Sequence, residues 1–214
     1  MIRSAPLIAS VILACSAISP LRAETITFER EVVGIPPSDF DSWGTGDAGP
    51  GAWAVVSDDT AQGGHALAQY RHELTKERVA LAIYMPLSGA DLEASIRFKP
   101  ISGSLDQSGG IAVRLSTPDD YYVARASALA QDVRLYRVVS GTWDELAGAH
   151  TRVAPGEWHS LVLKAQGDRF FVALDGQPLL AATDATFRAP GKIALWTKAD
   201  SITRFEHLEI RTLP

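Results

Sequence analysis

The chain has 214 residues, 46% of them hydrophobic, and 25 acidic against 20 basic residues give it a net charge of −5 at pH 7. This acidic balance argues against nucleic acids and anionic membrane surfaces as partners, because both bind to basic faces. The length is sufficient for one sizeable hydrophobic core. Cys15 is the single cysteine, so the sequence excludes an internal disulfide and a metal site built from several thiolates.

The N-terminal segment 1–23 has the three parts of an export signal. Arg3 supplies the positive start, residues 5–18 form an apolar run, and Ala23 is the small residue before the predicted cleavage point. The run is shorter than the roughly 20 residues that a membrane-spanning helix needs, and no later segment is apolar enough to span. We therefore expect export to the periplasm or the medium. The alternative is a lipoprotein, because Ile-Leu-Ala-Cys at 12–15 resembles a lipid-attachment motif.

Residues 24–214 are predicted to form a single domain. Loss of residues 1–23 removes two basic and no acidic residues, so the mature net charge is about −7. Proline and glycine are spread along the chain as turn residues, and neither a linker nor an internal repeat stands out. The exception is segment 33–52, which is rich in Gly, Pro and Asp, and we expect an irregular surface loop there.

Short apolar or alternating segments separated by turn residues make up the rest of the chain, a pattern typical of β-sandwiches. Gly167-Asp168 and Asp175-Gly176 are two-residue hairpin signals. Residues 127–131 form either a short helical turn or a loop. The fold class predicted is all-β, with two stacked antiparallel sheets in a jelly roll. Strands are predicted over residues 25–28, 53–57, 66–70, 79–84, 92–99, 111–115, 121–127, 133–139, 159–166, 169–174, 179–182, 192–197 and 202–212.

Four stretches of the chain carry a family resemblance: 96–100 (Ile-Arg-Phe-Lys-Pro), 107–110 (Gln-Ser-Gly-Gly), 121–126 (Tyr-Tyr-Val-Ala-Arg-Ala) and 195–201 (Leu-Trp-Thr-Lys-Ala-Asp-Ser). With them the chain resembles a group of exported bacterial proteins with a concanavalin A-like jelly roll, described as 3-keto-disaccharide hydrolase or 3-keto-glucoside lyase/hydratase-like domains. The resemblance extends over residues 40–210. It implies the jelly-roll fold and a carbohydrate or glycoside as partner. Because this fold serves both enzymes and sugar-binding modules, it leaves the activity open.

A constellation of arginine and aromatic residues is the predicted ligand-binding site. Aromatic rings stack on the C–H faces of sugars, and arginine offers a planar fork of donors to hydroxyl or carboxylate groups. Strand alternation places Arg125 and Tyr122 on opposite faces, so the set cannot line one surface completely. The alternative is structural: arginines paired with acids, aromatic rings in the core, and Asp200 capping a loop. The residues of this site are Arg114, Tyr122, Arg125, Arg134, Tyr136, Trp196, Lys198 and Asp200.

Catalytic residues are not identifiable from the sequence. The Glu-x-Asp-x-Glu pattern that the resemblance to glucanases suggests is absent, and its nearest match is Asp91-Leu92-Glu93, which we interpret as a solvated strand face. The five histidines lack metal-ligand spacing. At the start of one strand, we expect Trp158 in the core and His159 at the edge. No cofactor is predicted; the alternative is calcium, which takes oxygen ligands from acidic loops, here from Asp39, Asp41, Asp47, Asp58 and Asp59.

The sequence supports three hypotheses about function. The leading hypothesis is an exported, carbohydrate-associated domain that binds a glycan or glycoside on a sheet face. The second is a 3-keto-glycoside hydrolase or lyase, with His72 or His159 as base and Arg125 or a divalent ion as electrophile, because a keto group acidifies the neighbouring C–H. The third is a structural or protein-interaction module of the cell envelope.

Overall fold

The computed structural model describes residues 22–45, 49–71 and 74–214, and the predicted signal segment up to residue 21 lies outside these ranges. Within them the chain is all-β and contains no α-helix. None of these residues forms a helix long and apolar enough to cross a membrane. The fifteen strands are β1 (Ala23–Thr27), β2 (Phe40–Gly44), β3 (Trp53–Ser57), β4 (His65–Gln69), β5 (Val79–Gly89), β6 (Leu92–Ser102), β7 (Ser108–Thr117), β8 (Asp120–Ser127), β9 (Asp132–Val139), β10 (Thr142–His150), β11 (His159–Gln166), β12 (Arg169–Leu174), β13 (Gln177–Thr183), β14 (Gly191–Lys198) and β15 (Ile202–Thr212).

The strands form two antiparallel sheets that confirm the predicted sandwich. The seven-stranded sheet has the order β10-β9-β8-β7-β14-β5-β2. The eight-stranded sheet has the order β13-β12-β11-β6-β15-β4-β3, and β1 pairs with β15 beyond the end of β4. This arrangement is consistent with a jelly roll. The two-residue hairpins predicted at 167–168 and 175–176 connect β11 to β12 and β12 to β13, with φ of +60° at Gly167 and +50° at Asp175.

The thirteen predicted strands are present, and two further strands were missed. β2 lies inside segment 33–52, so the prediction of an irregular loop there is wrong over Phe40–Gly44, which pairs with β5 at the sheet edge. β10 also lies at an edge, and a bulge between Glu145 and Ala147 shifts its register. Edge strands bury little side chain, and a bulge breaks the period of two, so neither segment shows clear alternation. Residues 128–131 form a turn between β8 and β9.

Apolar side chains from both sheets fill the space between them. Phe98, Phe170, Phe205 and Leu67 are fully buried in this inner core. Successive residues of a strand point to opposite faces of the sheet, which is why Ile96 and Phe98 of β6 are buried while Arg97 between them faces outward.

A second hydrophobic cluster covers the other face of the seven-stranded sheet, so this sheet is apolar on both sides. We call it the outer cluster; its fully buried members include Leu81, Val123, Ala194 and Trp196. Burial on both faces explains the unbroken apolar run at the start of β5, which reads Val-Ala-Leu-Ala-Ile-Tyr. Three partly buried aromatic residues pack on the cluster: Trp43, Tyr136 and Trp143.

The seven-stranded sheet curves around its outer cluster. Trp143 of β10 and Trp196 of β14 belong to strands four places apart, which in a flat sheet lie about 19 Å from each other. Their ring centroids are nevertheless 5.9 Å apart. The sheet therefore bends towards Trp143, and its outer face is concave where these rings meet.

Candidate functional site

A pocket of about 200 Å³ opens on this concave face at the end of the outer cluster. Three neighbouring strands contribute Arg125 (β8), Tyr136 (β9) and Trp143 (β10), and β14 contributes Lys198 from the far side of the curve. We call it the concave-face pocket, and its lining consists of Glu77, Asp106, Arg125, Tyr136, Trp143 and Lys198.

Strand register explains why these side chains meet. Arg125 lies opposite Arg134 in the β8–β9 pair, and Val123 lies opposite Tyr136, so all four side chains point to the outer face. Lys198 is two residues beyond Trp196 and shares its face. Tyr122 lies in the inner core, so Arg125 and Tyr122 point to opposite faces of the sheet, as strand alternation predicted.

Trp143 forms the aromatic floor and is held by three other rings. It meets Tyr136 at a centroid distance of 5.3 Å and an interplanar angle of 74°, Trp196 at 5.9 Å and 61°, and Tyr121 at 6.3 Å and 89°. Edge-to-face contacts of this kind are favoured between aromatic rings. Because its neighbours fix it from several directions, the Trp143 ring offers a preorganised apolar surface.

Two cations lie against the rings of the pocket. The Lys198 ammonium is 5.2 Å from the Trp143 centroid, and the Arg125 guanidinium carbon is 5.9 Å from the Tyr136 centroid. Both distances are within the range of cation–π attraction. The pocket thus combines fixed rings with N–H donors, and Glu77 and Asp106 add acceptors at its rim.

The Arg125 guanidinium is oriented by a buried carboxylate. Asp132 Oδ1 accepts a hydrogen bond from Arg125 Nη1 at 3.1 Å, while its Oδ2 accepts one from Arg134 Nε at 2.6 Å. Arg134 also forms an ion pair with Glu145. The hydrogen bonds to Asp132 and then Glu145 raise the pKa of Arg134. Arg134 therefore belongs to the charge network that supports the pocket, outside its lining.

Asp200 caps the loop that carries Asp106. This is the structural role predicted from the sequence as the alternative to ligand binding. Its carboxylate accepts hydrogen bonds from the backbone N–H groups of Ser104, Leu105 and Asp106 and from the Ser104 hydroxyl, at 2.6 to 3.1 Å. Burial alone would raise the pKa of Asp200, but these hydrogen bonds outweigh it and lower the pKa. Asp200 is 2% exposed, so it positions the pocket rim from beneath.

Arg114 and Tyr122 lie away from the concave-face pocket, between the sheets. Arg114 is 2% exposed and donates to the carbonyl oxygens of Ala90, Phe187 and Gly167. The Tyr122 hydroxyl donates to Asp184 Oδ1 at 2.6 Å from within the inner core. Trp196 is on the pocket side but completely buried beneath Trp143. The structure therefore brings Arg125, Tyr136 and Lys198 of the predicted set together in the pocket lining.

Three lining residues were missed by the sequence reasoning. Trp143 belongs to β10, whose alternation is interrupted by the bulge. Its position two residues after Gly141 was the available signal, because aromatic residues that follow a turn are typical of a strand. Glu77 and Asp106 lie in loops, where side chains do not alternate regularly, so the sequence does not indicate which way they point.

The interpretation of Trp158 and His159 is reversed in the structure. His159 is 6% exposed and contacts Asp175 Oδ2 through Nδ1 at 2.7 Å, which ties the strand to the β12–β13 turn. Trp158 is half-exposed on the outside of the eight-stranded sheet, where Lys99 Nζ lies 4.8 Å from its centroid. His72, the other base considered for catalysis, lies outside the described residues.

Two of the acidic loop residues considered for calcium, Asp41 and Asp58, have other partners. Asp41 accepts from the Ser42 backbone and the Trp43 indole, and Asp58 binds Lys99 and Arg204. Asp47 lies outside the described residues. Across the ranges that the structure describes, no three acidic, histidine or cysteine side chains converge as a metal-ligand set.

A larger cleft of about 320 Å³ lies on the eight-stranded side of the molecule, with Glu29, Gln62, His65 and His207 in its lining. Its aromatic lining residue, Phe28, is 1% exposed and packs into the inner core. This ring offers no face to a ligand. The concave-face pocket is therefore the better candidate, because it combines accessible rings with polar groups.

Comparisons with known proteins support the fold. Neither protein-family models nor curated proteins match the chain. Among solved structures, carbohydrate-binding module CBM66 from Bacillus subtilis aligns with a TM-score of 0.60 at 19% identity, over 73% of this chain and 88% of that one. The β-glucanase of Bacillus licheniformis aligns with a TM-score of 0.58 at 13% identity, over 90% and 98%. Domain 4 of AbnA, an extracellular GH43 arabinanase from Geobacillus stearothermophilus in complex with arabinotriose, aligns with a TM-score of 0.54 at 16% identity, over 88% and 90%.

These likenesses show a concanavalin A-like jelly roll shared with binding modules and hydrolases. At such identities they show the fold alone, and functions must be argued from the site. The resemblance to 3-keto-disaccharide hydrolases is not confirmed, since no family model matches, and that activity stays a prediction.

Proposed function

We propose that this protein is an exported carbohydrate-binding domain that holds a saccharide in the concave-face pocket. The observation that carries the proposal is the fixed ring of Trp143, flanked by Arg125 and Lys198 and rimmed by Glu77 and Asp106. Binding sites for small molecules typically combine apolar walls with a few convergent polar groups. Two of the structural neighbours, a carbohydrate-binding module and an arabinanase domain solved with arabinotriose, add support at the level of fold.

The pocket chemistry suits a ligand with both C–H faces and hydroxyl groups. A pyranose or furanose ring stacks its C–H face on an aromatic surface, and its hydroxyls pair with charged donors and acceptors. Hydrogen bonds in which one partner is ionised are stronger than those between neutral groups. Because Asp132 fixes Arg125 and Asp200 fixes the Asp106 loop, these groups lose little conformational freedom on binding.

A glycan array followed by isothermal titration tests this function. We expect the wild-type protein to bind at least one glycan, and Trp143→Ala to reduce that affinity by 10-fold or more. Trp158→Ala is the matched control, because it removes the same residue type from the opposite sheet. Arg125→Gln is a second pocket variant. It removes a cation from the pocket, while Arg134 still binds Asp132, so the buried carboxylate keeps a partner. Absence of binding across the array, or equal losses for Trp143→Ala and Trp158→Ala, would overturn the proposal.

Export is tested separately by mass spectrometry of the protein purified from cells. We expect a mature N-terminus at Glu24. A lipid-modified Cys15 would instead show that the domain is tethered to a membrane, and an intact residue 1 would overturn export.

A further inference from the structure

Building on the proposed function, we propose that the concave-face pocket selects saccharides that carry a carboxylate, such as uronic acid residues. The starting observation is the position of Lys198. Its Nζ lies 3.7 Å from Glu77 Oε2, beyond hydrogen-bond distance, and 5.2 Å over the Trp143 ring. The ammonium is thus held in the pocket with a carboxylate nearby that does not bond it directly.

The two cations of the pocket lining lie deeper than the carboxylate of Glu77. The side chains of Arg125 and Lys198 are 12% and 26% exposed, whereas that of Glu77 is 82% exposed. An ion pair formed by so exposed a carboxylate is weak, because water screens it and the side chain loses freedom on pairing. Glu77 therefore neutralises Lys198 poorly and is readily displaced.

The other charges near the pocket leave Arg125 partly unpaired. Asp132 is its partner, but that single carboxylate also binds Arg134, and Glu145 contacts Arg134 from the rim. Arg125 uses Nη1 for Asp132. A guanidinium has five N–H donors, so the remaining edge can bind a second carboxylate.

Glu77 thus lies beside Lys198, where a ligand carboxylate could displace it. A ligand carboxylate between Lys198 and Arg125 would gain direct charge-assisted hydrogen bonds while its sugar ring stacks on Trp143. Asp106 is the other acid in the lining, and Ser127 Oγ donates to its Oδ1 at 3.3 Å. Repulsion from Asp106 directs a carboxylate towards the two cations, and Asp106 remains free to accept a sugar hydroxyl.

Isothermal titration with oligogalacturonate, glucuronate-containing oligosaccharides and their neutral counterparts tests the selectivity. We expect the wild-type protein to bind one acidic series at least 10-fold more tightly than its neutral counterpart, with the preference shrinking in high salt. Glu77→Gln should raise the affinity for the acidic ligand 2- to 5-fold relative to the neutral one. Lys198→Met, which keeps the aliphatic stem, should abolish the preference. Glu209→Gln is the control, an exposed acid on the eight-stranded sheet.

The outcomes separate this inference from the proposed function. Binding of neutral saccharides with equal or higher affinity than acidic ones overturns the selectivity and leaves carbohydrate binding in place. A Glu77→Gln variant that loses affinity for the acidic ligand also overturns it, because Glu77 would then be a ligand contact. Absence of binding to every saccharide overturns the proposed function itself.

Discussion

The indole rings of Trp143 and Trp196 meet at 5.9 Å with an interplanar angle of 61°, although their strands lie four places apart in the seven-stranded sheet. Trp196 is completely buried, and Trp143 is partly exposed above it. The contact both curves the sheet and gives Trp143 a fixed support. The ring that we propose to contact sugar therefore depends on one that no ligand touches.

Replacement of Trp196 should affect stability and binding together. Trp196→Ala removes a buried ring and leaves a cavity under Trp143, so the free energy of unfolding should fall by about 3–5 kcal/mol. Denaturant unfolding measures the loss, and titration with a bound glycan measures the affinity. Trp196→Phe should lose less stability and less affinity than Trp196→Ala. Unchanged stability in Trp196→Ala would contradict the support that we assign to this ring.

Gly110 should resist substitution, because the Ala124 backbone and the Trp196 ring lie close to it. A Cβ at this position would be 2.7 Å from the Ala124 carbonyl oxygen and 3.2 Å from Trp196 Cε3. Gly110→Ala should therefore cost about 1–3 kcal/mol of stability. Gly148→Ala is the control, since its nearest neighbour is a side-chain oxygen of Glu145, at 2.7 Å, which can shift more easily than backbone. Equal unfolding midpoints for the two variants would count against this packing.

Asp58 should make the fold sensitive to acid. Its carboxylate receives hydrogen bonds from Lys99 at 2.5 Å, Thr60 at 2.6 Å and Arg204 at 2.8 Å. Burial alone would raise the pKa of Asp58, but these partners lower it well below its usual value of 3.8. A carboxyl whose pKa is lower in the folded than in the unfolded state stabilises the fold above the unfolded pKa. That contribution is lost as the pH falls below about 4.

The Asp58→Asn variant tests this linkage. At pH 7 it should lose about 3 kcal/mol, because the buried Lys99 and the partly buried Arg204 remain without their carboxylate. Below pH 4 the gap to the wild type should narrow, because the Asp58 carboxyl of the unfolded wild-type chain then binds a proton that the folded chain does not, and this lowers the stability of the wild type. Denaturant unfolding between pH 2.5 and 7 provides the measurement. The control, Asp59→Asn at the adjacent exposed position, should have the wild-type free energy of unfolding at each pH. A difference between Asp58→Asn and the wild type that stays constant at all pH values would contradict the linkage.

Arg114 should matter for stability and not for binding. Its buried guanidinium satisfies three carbonyl oxygens at 2.7 to 2.8 Å, and a lysine cannot reproduce that planar fork. Arg114→Lys should lower the free energy of unfolding by about 3 kcal/mol through unsatisfied carbonyls. Glycan titration of the folded variant should give the wild-type affinity. Weakened binding with unchanged stability would restore Arg114 to the ligand site.

Strand alternation predicted much of the architecture and part of the site. The predicted strand 92–99 alternates apolar and polar residues, and the structure places Ile96 and Phe98 inside and Arg97 outside, because one face of β6 meets the inner core. β5 and β14 are apolar on both faces, so period two cannot tell which residues point outward. Arg114 and Arg125 show the same limit: both are arginines in strands, yet one is sealed in the interior and the other faces a pocket.

The sequence by itself determined the all-β class, most strand positions and the two short hairpins, because side-chain alternation and turn chemistry are local properties of the chain. It also determined that Arg125 and Tyr122 point in opposite directions. Only the tertiary structure decided which face carries the pocket, since Trp143, Lys198 and Asp106 come together through the curvature of the sheet. Curvature depends on contacts such as that between Trp143 and Trp196, and residues more than 50 positions apart leave no periodic trace of such a contact in the sequence.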